Sequence, residues 1–145
     1  MSIPAELGLI DIILILILVV AVYFDITEYR IPNQVTVGGI LFGVIIGLVT
    51  GGIQGLYASL IGGAVGFSLL LIPFLLRGIG AGDVKLLTAI GAIKGMEFVL
   101  YTAGAMAIVG GLMALYYVLI LKQRKMFFPY GVAIVLGAII SIGLL

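Results

Sequence analysis

The chain has no histidine and no cysteine among its 145 residues. Without cysteine there is no disulfide framework, no thiolate nucleophile and no cysteine-based zinc site. Without histidine, His-based zinc sites and the Ser–His arrangement of many hydrolases are excluded as well. Ser2, Ser59, Ser68 and Ser141 therefore have no imidazole to activate them. Charge is scarce too. Only 9% of residues are charged and 64% are hydrophobic, where a soluble domain has about 25% and roughly 45–50%. The net charge of +1 provides no basic face for nucleic acid. Acid–base chemistry is left to six carboxylates, a few lysines and the tyrosines.

What is abundant is apolar sequence, with a mean hydropathy of +1.45. A membrane-crossing helix needs about 20 apolar residues. Leu7–Phe24 is such a run, interrupted only by Asp11. Because Met1–Glu6 contains no Lys or Arg, this run is expected to be a retained first helix and not a signal peptide. Asp25–Pro32 reads as a polar connector, with Pro32 preventing simple helix continuation and Asn33 placed to cap the next helix. That helix is expected from Gln34 to Val49, with Thr50-Gly51-Gly52 ending it and Ile53–Leu76 forming a third. Arg77–Asp83 is a glycine-rich connector. Val84–Ile93 is a short fourth helix, only about half a bilayer long at ~1.5 Å per residue. Met96–Leu121 and Met126–Leu145 complete the set. The expected fold is an all-α membrane protein of about six transmembrane helices, one domain over residues 1–145.

Charge orients the six. The first, third and fifth connectors carry Arg30, Arg77, Lys85, Lys122, Arg124 and Lys125, while Lys94 alone lies on the other side. Since cytoplasmic loops collect Lys and Arg, Asp25 and Asp83 are expected at the cytoplasmic face, with both termini extracytoplasmic. Asp11 lies about 21 Å up the first helix from Asp25 and so belongs near the outer face. Gly39, Gly43, Gly47 and Gly51 repeat every four residues, as do Ala58, Gly62 and Gly66, and Gly91 with Gly95. Small residues at that spacing let membrane helices approach closely, here around the fourth helix.

Gly80-Ala81-Gly82-Asp83-Val84-Lys85-Leu86-Leu87 sets an aspartate between a glycine turn and an apolar run. Two carboxyls a few ångströms apart do not both ionise readily and so share a proton. The ionised member then acts as general base on a water, and the protonated one donates to a scissile carbonyl and its leaving amine. Such chemistry needs no metal, nucleophilic side chain or cofactor. Gly80 and Gly82 leave room beside Asp83 for a substrate strand. A helix N-terminus at Asp83 would favour its ionised form.

These residues resemble a known family. Asp25-Ile26-Thr27-Glu28-Tyr29-Arg30-Ile31-Pro32-Asn33-Gln34-Val35-Thr36 looks like the first motif of the type IV prepilin peptidases. Gly80–Leu87, continuing through Ala89-Ile90-Gly91-Ala92 to Gly95, is similar to the second, and Phe128-Pro129-Tyr130-Gly131 to the final Pro-aromatic-Gly segment. The resemblance implies a membrane aspartic protease of the GxGD class with Asp25 and Asp83 as catalytic residues. Gly80, Gly82, Lys85, Pro32 and Asn33 are supporting motif positions. It implies a cut after a leader glycine in prepilin-like precursors, which carry a basic leader and a hydrophobic helix, at the cytoplasmic membrane face. The cysteine-bearing domain of the long bacterial members is not in this sequence, so peptidase activity without N-methylation is expected. Two alternatives use the same aspartates. Tyr23-Phe24-Asp25 with Gly80–Asp83 loosely resembles presenilin-like intramembrane proteases, although Phe-Pro-Tyr-Gly stands where those have Pro-Ala-Leu. A small cation or proton transporter would use them as ion ligands, with the short helix as its discontinuous element.

Overall fold

The computed structural model describes residues 8–28, 30–76, 79–120 and 130–144. These residues form α1 (Leu9–Glu28), α2 (Asn33–Leu75), α3 (Ala81–Lys94), α4 (Met96–Leu119) and α5 (Tyr130–Leu144), so the described fold is all helical. Helices α1, α2 and α4 are long and apolar enough to cross a membrane. Their outward faces carry exposed Leu16, Leu41, Ile45, Ile72, Ile108 and Leu112. An apolar exterior of this extent is a lipid-facing surface, so the chain is a membrane protein.

One stripe of α1 faces inwards: Leu14, Leu18, Ala21 and Asp25 are buried. The steps of four, three and four follow the helical period, which carries the stripe from apolar residues onto an aspartate. The helix continues through Asp25 to Glu28, past the expected end at Phe24. Because Asp25 points into the protein, its charge does not oblige the helix to stop. Thr27 Oγ1 donates to the Tyr23 carbonyl at 2.7 Å and closes the last turn.

The expected second and third helices are the two arms of α2, divided at one residue. Gly52 has φ 62° and ψ −143°, a conformation essentially confined to glycine. A Cβ on Gly47 would stand 2.6 Å from the Gly55 carbonyl and 3.0 Å from Ser59 Cβ. In a straight helix residues eight apart are ~12 Å apart, so the arms fold back on each other. Gly51 has open space around it, and its expected packing role is not observed.

Helix α3 lies at the centre. Its buried residues run from Asp83 and Val84 through Leu86, Leu87 and Ala89 to Ile93, covering every face. Glycines on both arms of α2 make this possible. A Cβ on Gly43 would sit 2.6 Å from the Ala92 carbonyl carbon, and one on Gly66 2.5 Å from the Leu87 carbonyl oxygen. Gly62 meets Gly91 backbone to backbone. Ser59 Oγ donates to the Ala92 carbonyl at 2.7 Å, satisfying a hydroxyl that burial would otherwise penalise. The expected packing around this helix is therefore observed for Gly39, Gly43, Gly62, Gly66 and Gly91, whereas Ala58 is exposed and takes no part. Gly95, at φ 92°, caps α3, and its backbone also packs there: a Cβ on Gly62 would stand 2.9 Å from the Gly95 carbonyl carbon. On the far side α4 and α5 join through Thr102 Oγ1, which donates to Ser141 Oγ at 3.3 Å. The expected sixth helix is α5, starting at Tyr130; Met126–Pro129 and the basic residues Arg77, Lys122, Arg124 and Lys125 lie outside the described residues.

Candidate active site

Both aspartates of interest reach one cavity of about 320 Å³, which Arg30, Asn33, Lys85 and the Gly80–Gly82 turn also line. Asp25 arrives from α1 at the end of its buried stripe and is 4% exposed. Asp83 arrives from α3 and is 8% exposed. It sits within the first turn, since α3 begins three residues before the expected Val84. The Asp83 N–H donates to the Gly80 carbonyl at 3.2 Å, and the Gly80 N–H donates to Asp83 Oδ2 at 3.3 Å. This reciprocal pair starts the helix and aims the carboxylate. Gly82 is needed for closeness: a Cβ there would lie 3.2 Å from Ile31 Cβ, so the Gly80–Asp83 turn and the α1–α2 connector touch.

The electrostatics of Asp83 differ from expectation. The start of a helix favours a carboxylate by about 0.3–1 kcal/mol, but burial costs more. Asp83 lies outside the three candidate spans. Burial pushes its carboxyl up from the ordinary 3.8 to about 7, and the Asp25 carboxylate pushes in the same direction. The Gly80 N–H pulls back only in part. Near neutral pH Asp83 therefore exchanges its proton readily while a second carboxyl shares its cavity.

Asp25 is held differently. Its Oδ2 is buried with no hydrogen-bond partner among the described residues. The backbone N–H groups of Gly131 and Val132, in the first turn of α5, face the carboxylate. A Cβ on Gly131 would come within 2.6 Å of that Oδ2, so only glycine lets the helix end approach so near. In the sequence Gly131 stands out only as the end of the Pro-aromatic-Gly segment. Its contact with Asp25 spans 106 residues of chain, from 25 to 131, and no local signal announces it.

The supporting positions divide. Lys85 Nζ donates to Asn33 Oδ1 at 3.0 Å, joining α3 to the start of α2. Asn33 is consequently not the cap of α2. That place belongs to Pro32, in extended conformation with no side-chain cap; its carbonyl accepts from the Thr36 N–H at 3.3 Å. Pro32 shapes the connector without lining the cavity. Arg30 does line it, which the sequence reading had not anticipated. Tyr23 turns outward and stacks edge-on against Phe24 at 5.4 Å; Glu28 is exposed; Tyr29 lies outside the described residues. Asp11 is far from Asp25, as expected, and pairs with Lys94 at 2.6 Å. Among the described residues no group of three or more His, Cys, Asp or Glu could hold a metal ion.

The chain was compared with known proteins. No curated protein and no solved structure matches it. The model of the type IV leader peptidase family matches residues 12–142, a stretch that contains both aspartates, the Gly80–Asp83 turn and Gly131. The chain thus belongs to the type IV leader peptidase family, and its helices place that protease in a membrane.

Proposed function

We propose that this protein is an aspartic endopeptidase that removes the leader from type IV prepilin-like precursors, with Asp25 and Asp83 as its catalytic pair. The observation that carries the reading is that these two carboxyls, the most buried charged groups described, share one cavity in which the Asp25 carboxylate disfavours ionisation of Asp83. A water between them would give its proton to the ionised carboxylate as it attacks the scissile carbonyl. The protonated partner would donate a hydrogen bond to the carbonyl oxygen and then pass its proton to the leaving amine. Proton exchange near neutral pH suits Asp83 to one half of this cycle.

The family and the surroundings support the proposed substrate. A precursor with a short basic leader and a hydrophobic helix would lie with its helix in the bilayer and its leader at the membrane edge. The cavity opens beside the α1–α2 connector, where such a junction would rest. The Lys and Arg bias of the connectors supports a position for this edge on the cytoplasmic side of the cell membrane. Peptidase activity alone is proposed, with no cofactor.

The experiment is direct. Purified protein in lipid vesicles is mixed with a peptide carrying a basic leader, a glycine and an apolar helix. Cleavage after the glycine is expected, and Asp25→Asn and Asp83→Asn should each abolish it while remaining helical by circular dichroism. Cleavage by either variant at the parent rate would refute the assignment.

A further inference from the structure

The acid pair is only one of two places where polar groups of α1 and α3 meet. On α1, Asp11 and Asp25 are 14 residues apart, which at ~100° per residue puts them within about 40° of the same face and ~21 Å apart. On α3, Asp83 and Lys94 are 11 residues apart, within about 20° of one face and ~17 Å apart. The spacings agree to within the reach of the side chains. At one end the two aspartates share the cavity; at the other Lys94 Nζ donates to Asp11 Oδ1 at 2.6 Å.

The second meeting is well built. Asp11 Oδ2 accepts from the Gly8 N–H at 3.3 Å, so both carboxylate oxygens are engaged. Asp11 stands in the first turn of α1 and Lys94 in the last turn of α3, where the helix dipoles favour an anion and a cation respectively. Lys94 Nζ also lies 5.2 Å from the centre of the Phe98 ring, within cation–π range. Gly95, at φ 92°, ends α3 immediately afterwards. Both side chains are largely withdrawn, at 18% and 25% exposure.

Between the two polar points α1 turns only apolar residues inwards: Leu14, Leu18 and Ala21 are buried, and Ile17 and Val22 pack partly buried against the core. In lipid no hydrophobic drive acts between helices, because the tails are equally apolar, so packing and polar contacts are what fix their relative positions. We propose that the Asp11–Lys94 ion pair sets the longitudinal register of α1 against α3, and thereby the separation of Asp25 from Asp83 at the opposite end. Asp11 and Lys94 are then positioning residues for the cleavage, a role that rests on the function proposed above.

The native absence of cysteine allows a distance measurement free of background. Spin labels at Thr27→Cys and Ala81→Cys report the separation of α1 and α3 near the cavity, in lipid nanodiscs. Asp11→Asn should shift or broaden that distance by at least ~1.5 Å, the rise of one residue. Without labels, it should lower kcat for the leader peptide about tenfold or more with KM within about twofold, as misplacement of reacting groups does. Lys94→Gln should do the same. The double variant Asp11→Asn/Lys94→Gln should cost no more than either single one, because each removes the same tie, and it leaves no unpaired charge should a single variant fail to fold. An unchanged distance and kcat in folded Asp11→Asn, or losses that multiply in the double variant, would overturn the register role. A parent protein that cuts nothing would overturn the function instead, and the label distances would still decide the register.

Discussion

Asp83→Asn is expected to stabilise the folded protein, and to do so far more at pH 8 than at pH 5. Burial and the neighbouring Asp25 carboxylate raise the Asp83 carboxyl from 3.8 to about 7. Between those values the folded chain holds a proton that the unfolded chain has released. Stability associated with that proton is fully present below 3.8 and is lost as the pH rises through about 7. At ~1.4 kcal/mol per pH unit the buried carboxyl costs about 1.5 kcal/mol at pH 5 and about 4 kcal/mol at pH 8. Water entering the cavity screens part of this, so both figures are ceilings. Asparagine does not titrate, is nearly the same size and keeps an oxygen for the Gly80 N–H. The assay is thermal unfolding of parent and variant in the same micelles at both pH values, followed by circular dichroism. The gain at pH 8 should exceed that at pH 5 by several degrees. An equal gain at both, or a larger one at pH 5, would refute the argument that burial and Asp25 raise this group.

Gly131→Ala should leave the protein folded and reduce leader cleavage about tenfold or more, since a methyl 2.6 Å from Asp25 Oδ2 forces that carboxylate or the start of α5 to move; peptide cleavage by the purified variant checks it. Gly62→Ala should lower stability by about 1–3 kcal/mol by forcing α2 away from Gly91. Gly51→Ala, with open space around it, should be neutral or mildly stabilising in the same unfolding assay.

Much of the fold is legible in the sequence wherever the signal is local and apolar. The runs behind α1, α4 and the two arms of α2, and the small-residue faces of Gly39, Gly43, Gly62 and Gly66, need only a helical period and a space-filling argument. The two aspartates stood out because so few charges interrupt the apolar segments. What escaped depends on partners far along the chain. Asn33 looked like a cap because a short polar side chain before a helix usually is one, but Lys85, 52 residues away, takes its oxygen. Gly95 matched a packing period and does meet Gly62, but the period said nothing of its second task, capping α3 at positive φ. Asp11 and Lys94 were both assigned to the outer side with no hint that they touch. The ionisation of Asp83 could not be judged from helix position alone, because desolvation depends on how completely α2 encloses α3.

The hairpin at Gly52 bears on the order in which the protein is made. Gly47 and Gly55 are eight residues apart, Gly62 and Gly91 are 29, and Asp25 and Gly131 are 106. Closing a short loop costs less entropy than closing a long one, so the two arms can clasp while the ribosome is still adding α3, and α3 then has a ready-made slot. Asp25 waits for its neighbour from α5 until nearly the whole described chain exists. A nascent chain stopped after Leu119 should therefore hold its central helices together yet have an unfinished pocket, inert until synthesis is almost over.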